Sequence, residues 1–231
     1  MLRRCSMAAT YITLNRCYST SSTTFFQRLK NFVGIPTYKY NRMKHGVIAS
    51  QLYYNMIDSV DFDPLFKVSS APDTFQSWTQ FTQLHIWMMM ARLRAEDDDG
   101  DRVMKGVVTS MWDDIDKRMK FLKISMADKR DFNVANQRMF HGLLVNFDEG
   151  LMDNDMVLAA AIWRNFFKAD AKANCENVEA FVEYIRKQML SLDQSSEETI
   201  FTTAKMHWIK PQDCEVFRRR LNQISQDCNS L

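Results

Sequence analysis

The sequence predicts an all-α protein, a compact single-domain bundle of roughly six to eight helices. Helix-breaking residues are scarce: between Pro72 and Pro211 the chain has no proline and only four glycines, which favours long helices. Apolar residues recur every three or four positions in five segments, as on one face of a helix. Alternating patterns typical of strands do not reach a convincing length. We therefore place a helical domain at residues 43–231, behind a basic linker at residues 19–42.

Three helices are predicted in the first half of this domain. One spans roughly residues 43–60. A second begins after Asp73, a suitable N-cap, and runs to about residue 95 with many aromatic and aliphatic side chains. The third is assigned Asp101 as its N-cap. Its apolar stripe comprises Met104, Val108, Met111, Ile115, Met119 and Leu122.

Four further stripes continue the helical pattern towards the C-terminus. Asp153 or Asp155 can cap the second of these helices, and Pro211 can open the last. The stripes are Phe132, Asn136, Met139, Leu143 and Phe147; Met156, Ala160, Trp163 and Phe167; Val178, Phe181, Ile185, Met189 and Leu192; and Cys214, Phe217, Leu221, Ile224 and Cys228.

The N-terminal segment has the composition of a targeting sequence. The first 57 residues contain no Asp or Glu but eight basic residues, with a run of hydroxyl side chains at residues 19–24. This combination is typical of a mitochondrial transit peptide. Arg16 and Tyr18 flank a plausible matrix-peptidase cleavage site, so we expect residues 1–18 to be removed and the mature chain to begin near Ser19. The alternative is a basic tail that is retained or that binds nucleic acid.

Bulk composition narrows the class of protein. The chain carries 30 basic and 28 acidic residues, and it is acidic on balance from Ser59 onward, so no specific nucleic-acid partner is predicted. No apolar run approaches the roughly 18 residues of a membrane span, which predicts a soluble or peripherally attached protein. The sixteen methionines either fill gaps in a helical core or form an adaptable surface for an apolar partner.

Three aspartates near Gly100 match a metal-binding pattern. Asp97, Asp98 and Asp101 fit DDxxD, which in helical isoprenoid synthases holds magnesium for a diphosphate, and carboxylates with phosphates are common magnesium ligands. The sequence lacks a second aspartate motif, so the favoured interpretation is a solvated loop with Asp101 as a cap. A helical mitochondrial enzyme of isoprenoid or lipid metabolism that uses this magnesium site is the alternative function.

The sequence contains no other recognisable catalytic pattern. The four histidines are isolated from one another, without HExxH or ExxH spacing, and Walker, GxGxxG and GxSxG motifs are missing. The cysteines beyond residue 18 form no CxxC pair. We therefore predict no catalytic residue, no metal ligand and no cofactor.

Two short segments combine charge with apolar surroundings. Arg92 and Glu96 are one helical turn apart and can form an ion pair. Arg164 lies in a strongly apolar helix, where a charge must either be paired or face a partner. Asp148 and Glu149 are its candidate counter-charges. Two interpretations stay open at this point: a structural pair that locks two helices, or a binding surface for another polypeptide.

Three segments, taken together, resemble the ubiquinol–cytochrome c chaperone family. They are residues 92–96 (RLRAE), 143–151 (LLVNFDEGL) and 158–167 (LAAAIWRNFF), in the order expected for that family. The resemblance covers about residues 55–205, and the usual YDEGL form here has Phe147 in place of tyrosine. It implies a helical, non-enzymatic mitochondrial assembly factor. The candidate partner- or client-binding residues are Arg92, Arg94, Glu96, Asp148, Glu149, Trp163 and Arg164.

The resemblance also implies a set of partners and a location. A member of this family is expected on the matrix side of the inner membrane, in peripheral contact with that membrane. It is expected to pair with a small partner assembly factor near the tunnel exit of the mitochondrial ribosome. Its client is expected to be newly synthesised cytochrome b of respiratory complex III.

Overall fold

A computed structural model describes residues 38–229, which fold into nine α-helices without a strand in that range. The predicted transit peptide at residues 1–18 and nearly all of the predicted linker lie outside the described residues. The all-α prediction is confirmed, and the seven-residue helices α2 and α8 raise the number of helices above the predicted six to eight. The helices are α1 Arg42–Ser59, α2 Asp63–Ser69, α3 Phe75–Leu93, α4 Asp97–Phe121, α5 Met126–Met152, α6 Asp155–Phe166, α7 Cys175–Asp193, α8 Glu197–Thr203 and α9 Glu215–Asn229, with a 3-10 turn at Pro211–Asp213.

Helix α3 is the centre of the bundle. Of its 19 residues, 14 are buried, so it must pack on several sides, and its neighbours are α1, α4, α5 and α7. One apolar cluster lies against Leu84, Trp87 and Met88 and is completed by α2, α5, α6, α7 and α9. The other lies against Met89 and Leu93 and is completed by α1, α4, α8 and one residue of α5. Thus α3 separates two cores and contributes to both.

The methionines divide between core and surface. The gap-filling interpretation is confirmed for the buried group, whose flexible side chains suit irregular spaces between helices. The buried group is Met56, Met88, Met89, Met90, Met111 and Met119. A second group leaves large apolar side chains in solvent: Met43, Met126, Met139, Met152 and Met156.

Three of the predicted helix starts are wrong by one to five residues. Thr74, rather than Asp73, caps α3 with its side chain. Helix α4 already begins at Asp97, so Asp101 lies inside the helix. Asn154, which lies between the two predicted aspartates, caps α6. A cap requires an extended backbone at its own position as well as a short polar side chain, and several neighbouring residues here satisfy the second condition.

Two predicted apolar stripes are displaced around their helices. On α4 the predicted Met104 and Val108 are only partly buried and Leu122 is exposed; the buried apolar face comprises Val103, Val107, Met111, Ile115 and Met119. On α6 the predicted Met156 is exposed, and the buried residues are Leu158, Ala161, Ile162 and Phe166. The α7 stripe is placed correctly, since Phe181, Ile185 and Leu192 are fully buried.

A hydrogen-bonded polar group crosses the core between α3 and α7. His85 is fully buried; its Nδ1 donates to the Phe81 carbonyl at 2.7 Å, so its Nε2 accepts from the Tyr184 hydroxyl at 2.7 Å. The Gln188 amide then donates to the Tyr184 hydroxyl at 3.0 Å and to the Ile209 carbonyl at 2.7 Å. Burial lowers the pKa of His85 to about 4, so the imidazole is neutral in the folded protein.

Acidification should therefore destabilise the fold through His85. The pKa of His85 is 6.5 in the unfolded chain and about 4 in the folded chain, so acid favours the unfolded state, which binds the proton more tightly. The stabilisation is complete above pH 6.5 and is lost as the pH falls towards 4. Between about pH 7.5 and about pH 5 the loss should be about 2 kcal/mol.

Urea unfolding of the wild type and of His85→Gln at both pH values measures this contribution. The variant lacks the titrating imidazole, so it should not lose this stabilisation. Between the two pH values its free energy of unfolding should fall by about 2 kcal/mol less than that of the wild type. Identical pH dependence in the two proteins would show that His85 is not the responsible group.

Candidate functional site

The three segments that carry the family resemblance occupy one region of the fold. Residues 92–96 form the end of α3 and the turn after it, residues 143–151 form the last turns of α5, and residues 158–167 make up most of α6. Helix α5 packs along α6, and α3 packs against α5. Segments that are distant in sequence therefore meet around the C-terminal end of α5.

Arg92 is the buried anchor of this region. The predicted ion pair between its guanidinium and the Glu96 carboxylate is confirmed. In addition, Nε donates to the Leu192 carbonyl at 3.1 Å and Nη2 donates to the Ser195 carbonyl at 2.6 Å. Arg92 and Glu96 are both largely withdrawn from solvent. They join the end of α3 to the end of α7, inside the fold.

Arg94 and Asp148 form a second ion pair nearer the surface. The Arg94 Nη1 lies 3.0 Å from the Asp148 Oδ1, and both side chains are partly exposed. The same carboxylate oxygen accepts a hydrogen bond of 2.8 Å from the Trp87 indole. Beside it, Phe147 is fully buried with its ring 5.1 Å from that of Trp87. A phenyl ring at this position therefore fits an apolar site.

The predicted pairing of Arg164 with Asp148 or Glu149 is wrong. Arg164 is exposed and forms no ion pair within the described part of the chain, whereas Asp148 is held by the α3 side chains described above. Arg164 is two positions from the buried Ile162 and Phe166, which places it on the opposite side of the helix. Glu149 is also exposed. Both charges are therefore available to a partner.

Arg186 on α7 completes the site and was not found from the sequence. Its guanidinium donates to the carbonyls of Gly150, Leu151 and Asp153 at 3.0, 3.1 and 3.2 Å, and to the Asp155 carboxylate at 2.9 Å. The last carbonyls of a helix lack partners within it, and a cation is favourable at that end. Arg186 thus binds the C-terminus of α5 to the start of α6.

The two arginines permit a direct stability comparison. Arg164→Ala should change the free energy of unfolding by no more than about 0.5 kcal/mol, as for an ordinary surface site. Arg186→Ala should cost about 1.5–3 kcal/mol, because it removes hydrogen bonds made by a charged donor. Urea unfolding measures both. A large loss in Arg164→Ala would contradict its placement in solvent.

Trp163 is fixed at the end of α6 rather than free in solution. It is half-buried, and its indole nitrogen donates to the Asp170 carbonyl at 2.8 Å. This bond ties the turn that follows α6 back onto the helix.

A group of exposed side chains surrounds these polar residues. Val145, Glu149 and Met152 recur at spacings of four and three residues, so they share one face of α5. Met156 and Arg164 are exposed on α6, which packs directly against α5. We refer to Val145, Glu149, Met152, Met156 and Arg164 as the α5–α6 face. It combines flexible apolar side chains with one charge of each sign.

Asp99, which lies among the aspartates of the predicted magnesium pattern, has a structural role. Asp99 is buried and accepts hydrogen bonds from the backbone N–H groups of Lys39 and Tyr40 at 2.8 and 3.4 Å, and its carboxylate lies 2.5 Å from the His45 Nε2. It therefore fixes the segment that leads into α1. In residues 38–229 no three His, Cys, Asp or Glu side chains are grouped to hold a metal ion.

Most of the chain matches one protein family. The model of the family described as ubiquinol-cytochrome C chaperone matches residues 67–208, more than half of the chain. The chain belongs to this family. The matched range contains all three segments and α3 to α8, so the family match includes the whole candidate site.

Relatives in the ubiquinol-cytochrome C chaperone family agree with this assignment. Ubiquinol-cytochrome-c reductase complex assembly factor 1 of Xenopus laevis is 33% identical over 170 residues, which cover 74% of this chain and 84% of that protein. The Mus musculus protein of that name is 32% identical over 173 residues, 74% of this chain and 57% of its own length. Protein CBP3, mitochondrial, of Saccharomyces cerevisiae is 29% identical over 189 residues, 74% of this chain and 55% of its own length. The chain thus spans little more than half the length of the mouse and yeast proteins.

A solved structure supports the fold of this family member. The crystal structure of the Cbp3 homolog from Brucella abortus matches with a TM-score of 0.63, over 83% of this chain and 100% of that chain. The sequence identity is 18%, so the likeness concerns the all-α fold alone. Among the described residues, no helix is long and apolar enough to cross a membrane.

Proposed function

We propose that this protein is a non-enzymatic chaperone for newly synthesised cytochrome b in the assembly of ubiquinol–cytochrome c reductase, complex III. The family match over residues 67–208 carries the proposal. The names of the relatives support it, since they are complex III assembly factors. The convergence of the three family segments beside an exposed, partly apolar face supplies a physical basis for holding a client.

The α5–α6 face is our proposed client-binding surface. A newly made membrane protein exposes apolar helices, which bind to apolar surface on a carrier. Met152 and Met156 offer flexible side chains that can adapt to different apolar partners. Glu149 on α5 and Arg164 on α6, which are both exposed, can pair with polar ends of the client or with the small partner assembly factor.

The proposal includes a location and further partners. The acid-free N-terminal segment supports import into mitochondria, and the yeast relative is named as a mitochondrial protein. We place the protein on the matrix side of the inner membrane, in peripheral contact with it and near the tunnel exit of the mitochondrial ribosome. There it can receive cytochrome b during or just after synthesis.

Pulse–chase labelling of mitochondrial translation products in depleted cells tests the proposed function. Loss of the protein should shorten the lifetime of cytochrome b and deplete complex III, while other mitochondrially encoded subunits are initially spared. Normal cytochrome b and normal complex III would overturn the proposal. A uniform fall in all translation products would indicate a general ribosomal role instead.

The α5–α6 face can be tested separately with surface variants. Val145→Lys combined with Met152→Lys should reduce the labelled cytochrome b recovered with the purified protein several-fold, since both residues are exposed and the fold is retained. Met43→Lys is a matched control, because Met43 is equally exposed but lies on α1. Equal recovery with the double variant and the control would exclude this face as the client site.

A further inference from the structure

The connection between α4 and α5 presents an unusual apolar projection. Phe121 at the end of α4 is 86% exposed, Leu122 is 53% exposed and Met126 at the start of α5 is 81% exposed. Ile124 between them packs against the core, so the turn is anchored while its neighbours point outward. We refer to Phe121, Leu122 and Met126 as the α4–α5 tip.

Basic side chains surround this tip. Residues 117–131 contain six basic residues, of which Lys129 is buried, and two acidic residues. Of the two acids, Asp128 accepts a hydrogen bond of 2.6 Å from the Ser125 hydroxyl at the start of α5, and Asp131 is exposed. Asp114 and Asp116, one to two turns before the tip, pair with Arg118 at 2.8 Å and with Lys120 at 2.6 Å. The exposed basic residues are Lys117, Arg118, Lys120, Lys123 and Arg130.

We propose that the α4–α5 tip inserts into the surface of a bilayer that contains anionic lipid. Aromatic and aliphatic side chains at such a tip can reach the interfacial layer of a membrane. Lysine side chains can extend from an apolar stem to place their charge among the headgroups. Each basic residue close to an anionic surface strengthens binding about fivefold. The exposed apolar side chains and the basic residues near them therefore both favour a bilayer with anionic lipid as the partner of the tip.

A protein partner fits this projection less well. Protein–protein interfaces are depleted in lysine at their centres, whereas Lys120 and Lys123 directly flank Phe121 and Leu122 in the sequence. The number of apolar side chains is small, which suits shallow insertion into lipid better than a stable protein interface.

The position of the tip relative to the α5–α6 face has a geometric consequence. Met126 and Met152 are at opposite ends of α5, which at about 1.5 Å per residue is about 40 Å long. A protein docked through its tip would therefore present the client-binding face at the far end of the same helix. This inference deepens the proposed function, and rests on it only for the choice of the inner membrane.

Vesicle binding by the full-length protein provides the first test. We expect co-flotation with phosphatidylcholine vesicles that contain phosphatidylglycerol, and binding to phosphatidylcholine alone that is several-fold weaker. Phe121→Ser with Leu122→Ser should weaken binding about tenfold or more, without a change in thermal unfolding, because both side chains are exposed. Met43→Ser with Val47→Ser on α1, where both side chains are exposed, is the matched control and should bind like the wild type.

A tryptophan placed at the tip makes the test specific to the site. Phe121→Trp should add fluorescence that is quenched by vesicles with brominated acyl chains, whereas Val47→Trp, at an exposed site on α1, should add fluorescence that is not quenched. Wild-type binding by the tip double variant, or an unquenched tryptophan at residue 121, would overturn the proposal. Loss of a protein partner with unchanged vesicle binding would identify the tip as a protein-docking element and would also overturn it. None of these results bears on the pulse–chase test of cytochrome b.

Discussion

Replacing Arg92 with alanine should destabilise the protein by about 3–5 kcal/mol, as when one partner of a buried ion pair is removed. The Glu96 carboxylate would remain in a largely buried position without its counter-charge. The carbonyls of Leu192 and Ser195 would each lose a donor inside the fold. Both consequences are costly because buried polar groups depend on such partners. Urea unfolding monitored by circular dichroism measures the loss.

Arg94→Ala is the matched control for this prediction. Arg94 is two residues away and also forms an ion pair, with Asp148, but both side chains are partly exposed. Exposed ion pairs contribute about 0–1 kcal/mol, so this variant should remain close to the wild type. Arg92→Lys should fall between the two, because lysine keeps the charge but lacks the planar set of donors. Similar losses for the two alanine variants would contradict the structural role assigned to Arg92.

Gly150→Ala should produce the second large effect, a net loss of about 2–3 kcal/mol from overpacking between α5 and α6. A Cβ atom at residue 150 would lie 2.7 Å from the Leu158 Cα and 3.1 Å from the Leu158 backbone nitrogen. These are backbone atoms, so a change of rotamer cannot relieve the overlap. Separation of the helices would also draw the carbonyls of α5 away from Arg186. Thermal unfolding should show the loss.

Gly142→Ala on the same helix should have the opposite sign. A Cβ atom there meets nothing within 4 Å, so alanine only improves the helix propensity of α5. The expected gain is about 0.5–1 kcal/mol. Destabilisation by Gly142→Ala, or tolerance of Gly150→Ala, would show that the packing of α5 differs from that described.

Sequence reasoning succeeded where the controlling interactions are local. The Arg92–Glu96 pair depends on two residues one turn apart, and the α7 stripe has polar residues on its opposite side. The stripe on α6 was placed on the wrong face because Val157 to Trp163 are apolar on every side of the helix. In such a segment periodicity cannot select a face, and the choice is made by packing against α5 and α7.

The rest of the site depends on contacts between distant parts of the chain. Arg186 binds backbone carbonyls more than 30 residues away. Every residue has such a carbonyl, so the sequence does not indicate which ones a side chain will bind. Asp148 pairs with Arg94, which is 54 residues earlier, rather than with the arginine that follows it more closely. A nearby opposite charge is therefore a weak guide to pairing when the helices that carry the two charges are not yet placed.

The central position of α3 also determines how the domain can move. Helix α3 contributes side chains to both apolar clusters. If one cluster opened and α3 moved with it, the other cluster would lose its α3 side chains as well. The two cores should therefore melt as one cooperative unit, with equal calorimetric and van't Hoff enthalpies. We therefore expect no movement of one core relative to the other within residues 38–229. Capture and release of a client would then take place on the outer surface of a rigid carrier, at a rate set by how tightly that surface binds.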